Sequence, residues 1–167
     1  MINDIRRLIT TIETGTMEET WEAAKELSSI GTETVLLLIS LLTKAKRADA
    51  RAAAAYVLGT NRYESARASL EELLSNPNEE PLVRGHAAEA LGYIQNPKSV
   101  RVLLEQLRDQ NPGVKYWCIF ALGLIKDREA VPALKLITES REDECYDNHS
   151  LRREALNAID EIARGTK

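Results

Sequence analysis

The residues of this 167-residue chain that could do chemistry are few, and they come close together at two places. His86 and Glu89 are three positions apart, so on a helix they share one face and can touch. The second place is the acidic stretch 140–150, which contains Cys145 and His149. A metal needs three or four protein ligands, and neither place supplies a second histidine or cysteine. We therefore predict no metal and no cofactor.

Other chemical signatures are missing from the sequence as well. It contains two histidines, and it has no Ser-His-Asp spacing, no phosphate-binding glycine loop and no nucleotide fingerprint. Cys118 stands in an alanine position of a repeated pattern, so we predict a small buried hydrophobic side chain there. Stretch 140–150 is predicted to be a solvent-exposed acidic loop, with a recognition loop as the alternative. The sequence thus predicts a chain that is not an enzyme.

Composition and charge narrow the class of protein. The chain is 44% hydrophobic and 29% charged, with a net charge of −4, so it should fold and should not be a general binder of nucleic acids or anionic membranes. A basic group at Lys44, Lys46, Arg47 and Arg51 is interpreted as helix-end charge. The most apolar stretch, residues 35–42, is too short to span a bilayer. With no leader pattern and no disulfide framework, we expect a cytoplasmic protein and no membrane partner.

A repeated pattern of about 30 residues organises the chain. Gly59, Gly92 and Gly123 each close a similar alanine-rich string, and they are spaced by 33 and 31 residues. Weaker copies of the string close at Ser28, 31 residues upstream, and at Asp160, 37 residues downstream. Such a period indicates stacked supersecondary units.

Each unit is predicted to contain two helices. The first helix ends at the glycine, which can adopt the left-handed conformation of a helix stop, and the second begins seven or eight residues later. No stretch alternates with period two, so we predict no sheet. Counting an opening helix gives ten helices. The predicted bounds are about 2–13 for the opening helix, about 17–45, 48–75, 80–109 and 112–139 for the units, and about 149–164 for the terminal helix.

The repeat resembles the short HEAT-like repeat of the phycobilisome-lyase type. The resemblance rests on the Val-Arg-x-x-Ala-Ala-x-Ala-Leu-Gly string at residues 83–92 and on the Ala-Val-Pro-Ala-Leu string at residues 130–134. It implies an all-α fold, namely a right-handed α-solenoid of about five HEAT-like helix pairs, forming a single domain over residues 1–167. In proteins of this type, the first helices of the pairs line the concave surface.

Helical geometry separates an apolar face of these first helices, which should pack in the core, from an opposite face that should not. We call the opposite face the free face. The free positions are Trp21, Glu22, Lys25, Ala52, Ala53, Tyr56, Gly85, His86, Glu89, Tyr116, Trp117, Phe120, Arg153, Glu154 and Asn157.

Five of the eight aromatic residues of the chain fall on this face. Because exposed aromatic rings dominate interface energetics, we predict a site for a protein or peptide partner, centred on Tyr116, Trp117 and Phe120. The alternative is that these rings fill gaps between successive helices. The predicted partner-binding residues are Trp21, Glu22, Lys25, Tyr56, His86, Glu89, Tyr116, Trp117, Phe120, Arg153, Glu154 and Asn157.

One basic residue per unit forms a separate series, Arg51, Arg84, Lys115 and Arg152. Their angle places them at the edge of the core, so we predict a structural role. Each stem should be buried, and each head group should bind the loop of a neighbouring unit.

Two enzymes share repeats of this kind and supply alternatives. Bilin lyases act on tetrapyrroles, and an aromatic concave face could hold such a flat molecule. Deoxyhypusine hydroxylase carries adjacent His-Glu pairs as iron ligands, and none of the matching positions here holds His-Glu. The matching pairs are Trp21-Glu22, Ala52-Ala53, Gly85-His86, Tyr116-Trp117 and Arg153-Glu154. The resemblance thus predicts that hydroxylase activity is excluded. Our interpretation is a non-catalytic scaffold that binds a protein or peptide, with a bilin-binding, lyase-like protein or subunit as the alternative and the oligomeric state left open.

Overall fold

The computed structural model describes residues 2–141 and 143–165, which form ten α-helices and one small hairpin. Short 3-10 turns lead directly into α3, α5, α7 and α9. The helices are α1 (Ile2–Thr14), α2 (Met17–Ser28), α3 (Val35–Lys44), α4 (Ala48–Thr60), α5 (Arg67–Ser75), α6 (Pro81–Ile94), α7 (Val100–Gln106), α8 (Pro112–Ile125), α9 (Val131–Glu139) and α10 (Leu151–Arg164). The strands are β1 (Cys145–Tyr146) and β2 (His149–Ser150).

The helices stack in two rows. We call α2, α4, α6, α8 and α10 the A helices, and each packs against the next one along the chain. The B helices α3, α5, α7 and α9 pack against α4, α6, α8 and α10 respectively. Buried leucine, valine and alanine side chains from both rows form one continuous core. The predicted all-α repeat solenoid is confirmed.

The local signals that begin the helices agree with this arrangement. The Thr16 hydroxyl accepts a hydrogen bond from the Glu19 backbone, and the Glu19 carboxylate accepts one from the Thr16 backbone, so α2 begins with a capping box. The Asn111 side chain caps α8 in a similar way, and the Ser150 hydroxyl caps α10. No helix among residues 2–141 and 143–165 is both long and apolar enough to cross a membrane.

The repeated glycines do not end their helices, and that expectation was wrong. Helices α6 and α8 run past them to Ile94 and Ile125, and the left-handed residues that follow are Gln95 and Lys126. The glycines instead permit close packing between A helices. A β-carbon at Gly92 would lie 2.8 Å from the Cα atom of Ala121 in the next A helix. The glycines recur every 31 to 33 residues because each one lies at a contact between its own A helix and the next.

The hairpin corrects the expected absence of a sheet. The described residues of stretch 140–150 are mostly exposed, as predicted, but residues 145–150 form a hairpin and not an irregular loop. Strands β1 and β2 pair antiparallel, joined by a two-residue turn at Asp147 and Asn148. Both turn residues have positive φ angles, 48° and 63°, as the two-residue hairpin turn favoured by asparagine and aspartate requires. Strands of two residues are too short to show alternation in a sequence.

The basic series has the predicted structural role. Arg51 binds Glu79 through two hydrogen bonds of 2.9 and 2.6 Å, in the loop that leads into the next A helix. Arg84 binds Asp109 in the same relation, and Lys115 binds Glu144. Arg152, the last of the series, reaches back to the carbonyl of Ser140. These bonds tie α4, α6, α8 and α10 to adjacent loops, which confirms the prediction.

Candidate functional site: the aromatic row

A continuous row of rings crosses the A helices α2, α4, α6 and α8. The centroid of the Trp21 ring lies 5.6 Å from that of Tyr56 and 5.2 Å from that of His86. His86 in turn stacks on Trp117 at 6.4 Å with an interplanar angle of 27°. The row continues along α8 and is defined here as the six residues Trp21, Tyr56, His86, Tyr116, Trp117 and Phe120.

Helix α8 supplies the largest part of the row. Trp117 meets Tyr116 at 5.2 Å and Phe120 at 5.5 Å, and both contacts are edge-to-face, which is a favourable geometry for aromatic pairs. Every ring of the row is partly exposed. Trp21, Tyr56, Tyr116 and Trp117 also pack against the core. The rings therefore pack on the core, as the alternative predicts, and they also keep part of their surface open to solvent.

Small residues between the rings are buried, contrary to their assignment to the free face. Ala52, Ala53 and Gly85 are all covered in the structure. A β-carbon at Gly85 would lie 3.0 Å from Cδ1 of Trp117, so the indole lies directly over this glycine. The free face is thus narrower than a helical wheel indicates, because a wheel omits the side chains that arrive from neighbouring A helices.

Glu89 is the main correction among the predicted site residues. It was expected at a polar rim, but its side chain is only 8% exposed. One carboxylate oxygen, Oε2, lies 2.8 Å from Nδ1 of His86, and the other, Oε1, accepts a hydrogen bond of 3.2 Å from the hydroxyl of Tyr93. The carboxylate therefore lies beside the aromatic row, held between two side chains of its own helix.

Sequence reasoning missed Tyr93, although it lies one helical turn after Glu89. Its ring lies 6.1 Å from that of Phe120 in an edge-to-face contact, so it extends the ring cluster toward the C-terminal end of α6. Burial, followed by the charge of Glu89, raises the pKa of Tyr93 above its ordinary value. The spacing of four residues between the carboxylate and the phenol was the signal that could have found it.

The hairpin brings two more rings that sequence reasoning did not place here. Tyr146 and His149 lie 5.6 and 5.7 Å from Tyr116, measured between ring centroids. Asp143 holds the hairpin, because its carboxylate accepts hydrogen bonds from the Ser150 hydroxyl and the Arg152 backbone. These two bonds, the Ser150 one first, lower the pKa of Asp143.

A pocket of about 230 Å³ lies where the row meets the hairpin. Its walls come from the first two turns of α6 and α8, from the cap residue of α8 and from the hairpin, and they include Leu82, His86, Asn111, Trp117 and Tyr146. A β-carbon at Gly113, also in the wall, would lie 2.8 Å from the Tyr146 ring. The pocket is therefore shaped by two rings that lie over glycines.

The remaining predicted residues lie at the two ends of the row. On α2, Glu22 and Lys25 are exposed and form an ion pair of 2.7 Å, which raises the pKa of Lys25. On α10, Arg153 and Asn157 are exposed, and Glu154 is half-buried. Four of these five charged and polar side chains are thus exposed.

Residues 2–141 and 143–165 contain no preformed metal site. No group of three or more histidine, cysteine, aspartate or glutamate side chains there could hold a metal ion. His86 and Glu89 make a pair, but this pair alone does not fit a centre that needs three or four protein ligands.

The stacked A and B helices, with a row of rings along the A helices, define a helical repeat protein. A family model for HEAT repeats matches residues 35–111 and 78–158, which together cover more than half of the chain. The chain belongs to the HEAT repeat family.

Two solved structures show how closely the fold is shared. The complex of CpcE and CpcF of phycocyanin lyase from Nostoc sp. PCC7120 matches with a TM-score of 0.81 and 20% identity, over 95% of this chain and 99% of that chain. This match agrees with the resemblance to the phycobilisome-lyase type of repeat. Human deoxyhypusine hydroxylase matches with a TM-score of 0.62 and 30% identity, over 73% of this chain and 43% of that chain.

A curated relative corrects the prediction that the chain is not an enzyme. Deoxyhypusine hydroxylase-B of Oryza sativa subsp. japonica is 30% identical over 136 residues, which are 81% of this chain and 45% of that protein. The chain thus spans about half the length of this relative. Because a protein named as an enzyme matches most of the chain, the prediction that the chain is not an enzyme was wrong, and so was the exclusion of hydroxylase activity on the missing His-Glu pairs.

Proposed function

We propose that this chain is a HEAT repeat module that binds a protein or peptide along the aromatic row. The observation that carries the proposal is the continuity of the row. Ring contacts link four elements: Trp21 of α2 touches both Tyr56 of α4 and His86 of α6, and His86 touches Trp117 of α8. Each of these rings keeps part of its surface open to solvent. Contiguous aromatic surface of this kind is typical of the centre of an interface.

The rigidity of the row supports the proposal. The rings are fixed by edge-to-face contacts and by packing on the core, so little conformational entropy is lost when a partner docks. The pocket beside Tyr146 can take one side chain of the partner. The exposed groups of α2 and α10 supply polar contacts at both ends, which select the partner more than they add affinity.

A peptide-display selection tests the proposed function. The wild type and a Y116A/W117A/F120A variant are immobilised separately, and circular dichroism first establishes that both are folded. We expect the wild type to enrich peptides that the variant does not retain. Equal enrichment on both proteins would place binding elsewhere, and an absence of enrichment on folded wild type would contradict the proposal.

The hydroxylase relatives support a second candidate, an enzymatic one. In this candidate the chain takes part in the hydroxylation of a deoxyhypusine residue, the activity that the names of its relatives state for them. Because residues 2–141 and 143–165 hold no group of three metal-ligating side chains, the test supplies every reactant: the folded chain is incubated with ferrous iron, dioxygen, a reductant and a protein that contains deoxyhypusine. Formation of the hydroxylated residue supports the candidate, and an unchanged substrate contradicts it.

A further inference from the structure

The charge environment of Glu89 differs from that of the other well-buried carboxylates. The side chains of Glu79 and Asp109 are 9% and 7% exposed, and an arginine binds each of them. Glu89, at 8%, has a histidine ring nitrogen and a phenol as its partners. A buried carboxylate needs a compensating positive charge, and an imidazole supplies a full one only when it is protonated. Beside the aromatic row, the fold thus places a buried carboxylate whose side-chain partners are an imidazole and a phenol, and no arginine or lysine of the described residues pairs with it.

The surroundings of Glu89 fit a cation that comes from outside the chain. His86, which contacts Glu89, has the rings of Trp21 and Trp117 beside it. In the tautomer in which Nδ1–H of His86 donates a hydrogen bond to Glu89, the Nε2 atom of the same ring remains a hydrogen-bond acceptor. Indole faces attract cations, and tryptophan does so most strongly among the aromatic side chains.

We propose that the pocket beside Trp117 binds an arginine side chain of the partner. This inference rests on the proposed function, because it names the side chain that the partner inserts. A planar guanidinium can stack on the Trp117 indole and donate to an imidazole nitrogen at the same time, whereas an ammonium cannot stack. The apolar wall at Leu82 and Tyr146 accommodates the methylene stem. Glu89 supplies the negative charge from behind His86.

Fluorescence titration of the folded chain tests the inference without knowledge of the partner. The probes are N-acetylarginine amide and N-acetylcitrulline amide, which have similar shapes but differ in charge. We expect the arginine compound to bind with a Kd at least about tenfold lower, a difference of about 1.4 kcal/mol. Equal affinity of the wild type for both compounds would overturn the inference, and that comparison needs no variant.

A pair of charge-matched variants identifies the carboxylate responsible. E89Q removes the buried charge, and E105Q removes an exposed charge on the B helix α7, where Glu105 pairs with Arg101. We expect E89Q to bind the arginine and citrulline compounds with about equal Kd values. We expect E105Q to keep the preference for the arginine compound. If E89Q does not fold, W117L replaces it and should also lose the preference. A preference that survives the loss of Glu89 or Trp117 contradicts the assignment.

The display selection separates failure of this inference from failure of the proposed function. Peptides that bind through Tyr116, Trp117 and Phe120 but contain no arginine would leave the proposed function standing and contradict the inference. An absence of such peptides would count against the proposed function itself.

Discussion

Gly59 of α4 and Ala90 of α6 lie so close that a β-carbon on Gly59 would be 2.4 Å from the Cα atom of Ala90. Gly92 repeats this relation with Ala121, and Gly123 repeats it with Ala158. The A helices thus approach one another through a glycine on one helix and an alanine on the next. The aromatic row depends on this spacing, because its rings must reach across from one A helix to the next.

Substitution of Gly59 by alanine should destabilise the protein. Overpacking of a tight contact costs about 1–3 kcal/mol. Helix propensity alone would instead favour alanine over glycine by about 1 kcal/mol. The free energy of unfolding in urea therefore decides between the two effects, and we expect it to fall. T60A, at the exposed next position of α4, is the control and should change it little. A G59A variant that is more stable than wild type would contradict the close contact.

The buried ion pair between Arg84 and Asp109 should matter far more than an exposed one. Both side chains are at most 10% exposed, so D109A would leave the Arg84 charge buried without its partner. We expect a loss of about 3–5 kcal/mol from the free energy of unfolding. Arg101 and Glu105 form an exposed pair on α7, and E105A should cost less than about 1 kcal/mol. Similar losses in both variants would be inconsistent with the burial of Arg84.

The two cysteines should differ in reactivity toward a thiol reagent. Burial raises the pKa of the Cys118 thiol, which reduces its thiolate fraction, and it also blocks access. Cys145 is exposed in strand β1. We expect one reactive thiol in the native protein and two in denaturant, measured with Ellman's reagent at pH 8. In a C145S variant the native signal should disappear, and a persistent signal would show that Cys118 is accessible.

Two tyrosines, Tyr116 in the row and Tyr93 beside it, should make stability fall at alkaline pH. Burial raises the pKa of Tyr93 and that of Tyr116 in the folded state. Their contribution to stability is fully present below the unfolded value of about 10, and it is lost as the pH rises through the folded pKa, because the unfolded chain releases these protons first. The free energy of unfolding should therefore decrease above pH 10. In Y93F the decrease should be smaller, and an identical slope in both proteins would contradict the burial of this phenol.

The repeat itself was predictable, because each of its signals is local. Alanine-rich strings ending in Leu-Gly recur at regular spacing, and helical geometry then predicts which side chains face the core. Arg51 could be assigned its structural role in the same way, since its position in the string is fixed. The role of the glycines was predicted wrongly. A glycine near the end of a helix is typical of a helix stop, and its role in close packing appears only when the neighbouring helix is known.

The site was less predictable, because it depends on contacts between distant segments. Tyr146 reaches Tyr116 only after the hairpin folds back over α8, and strands of two residues leave no pattern in a sequence. Glu89 was assigned to a solvated rim because its angle on a helical wheel is favourable. In the structure its carboxylate is bonded to His86 and Tyr93 of the same helix and is buried, which an angle on a helical wheel does not reveal.

Direct measurement of peptide affinity tests the central claim that the aromatic row is a binding surface. A peptide selected on the wild type is titrated into wild type, W117A and Y63A, all shown to be folded by circular dichroism. Tyr63 is a partly buried tyrosine outside the row and serves as the matched control. Loss of a central aromatic anchor costs 2 kcal/mol or more, so we expect the Kd to rise by roughly 30-fold in W117A. The Kd for Y63A should stay within about twofold of wild type. Unchanged affinity in folded W117A would contradict the account.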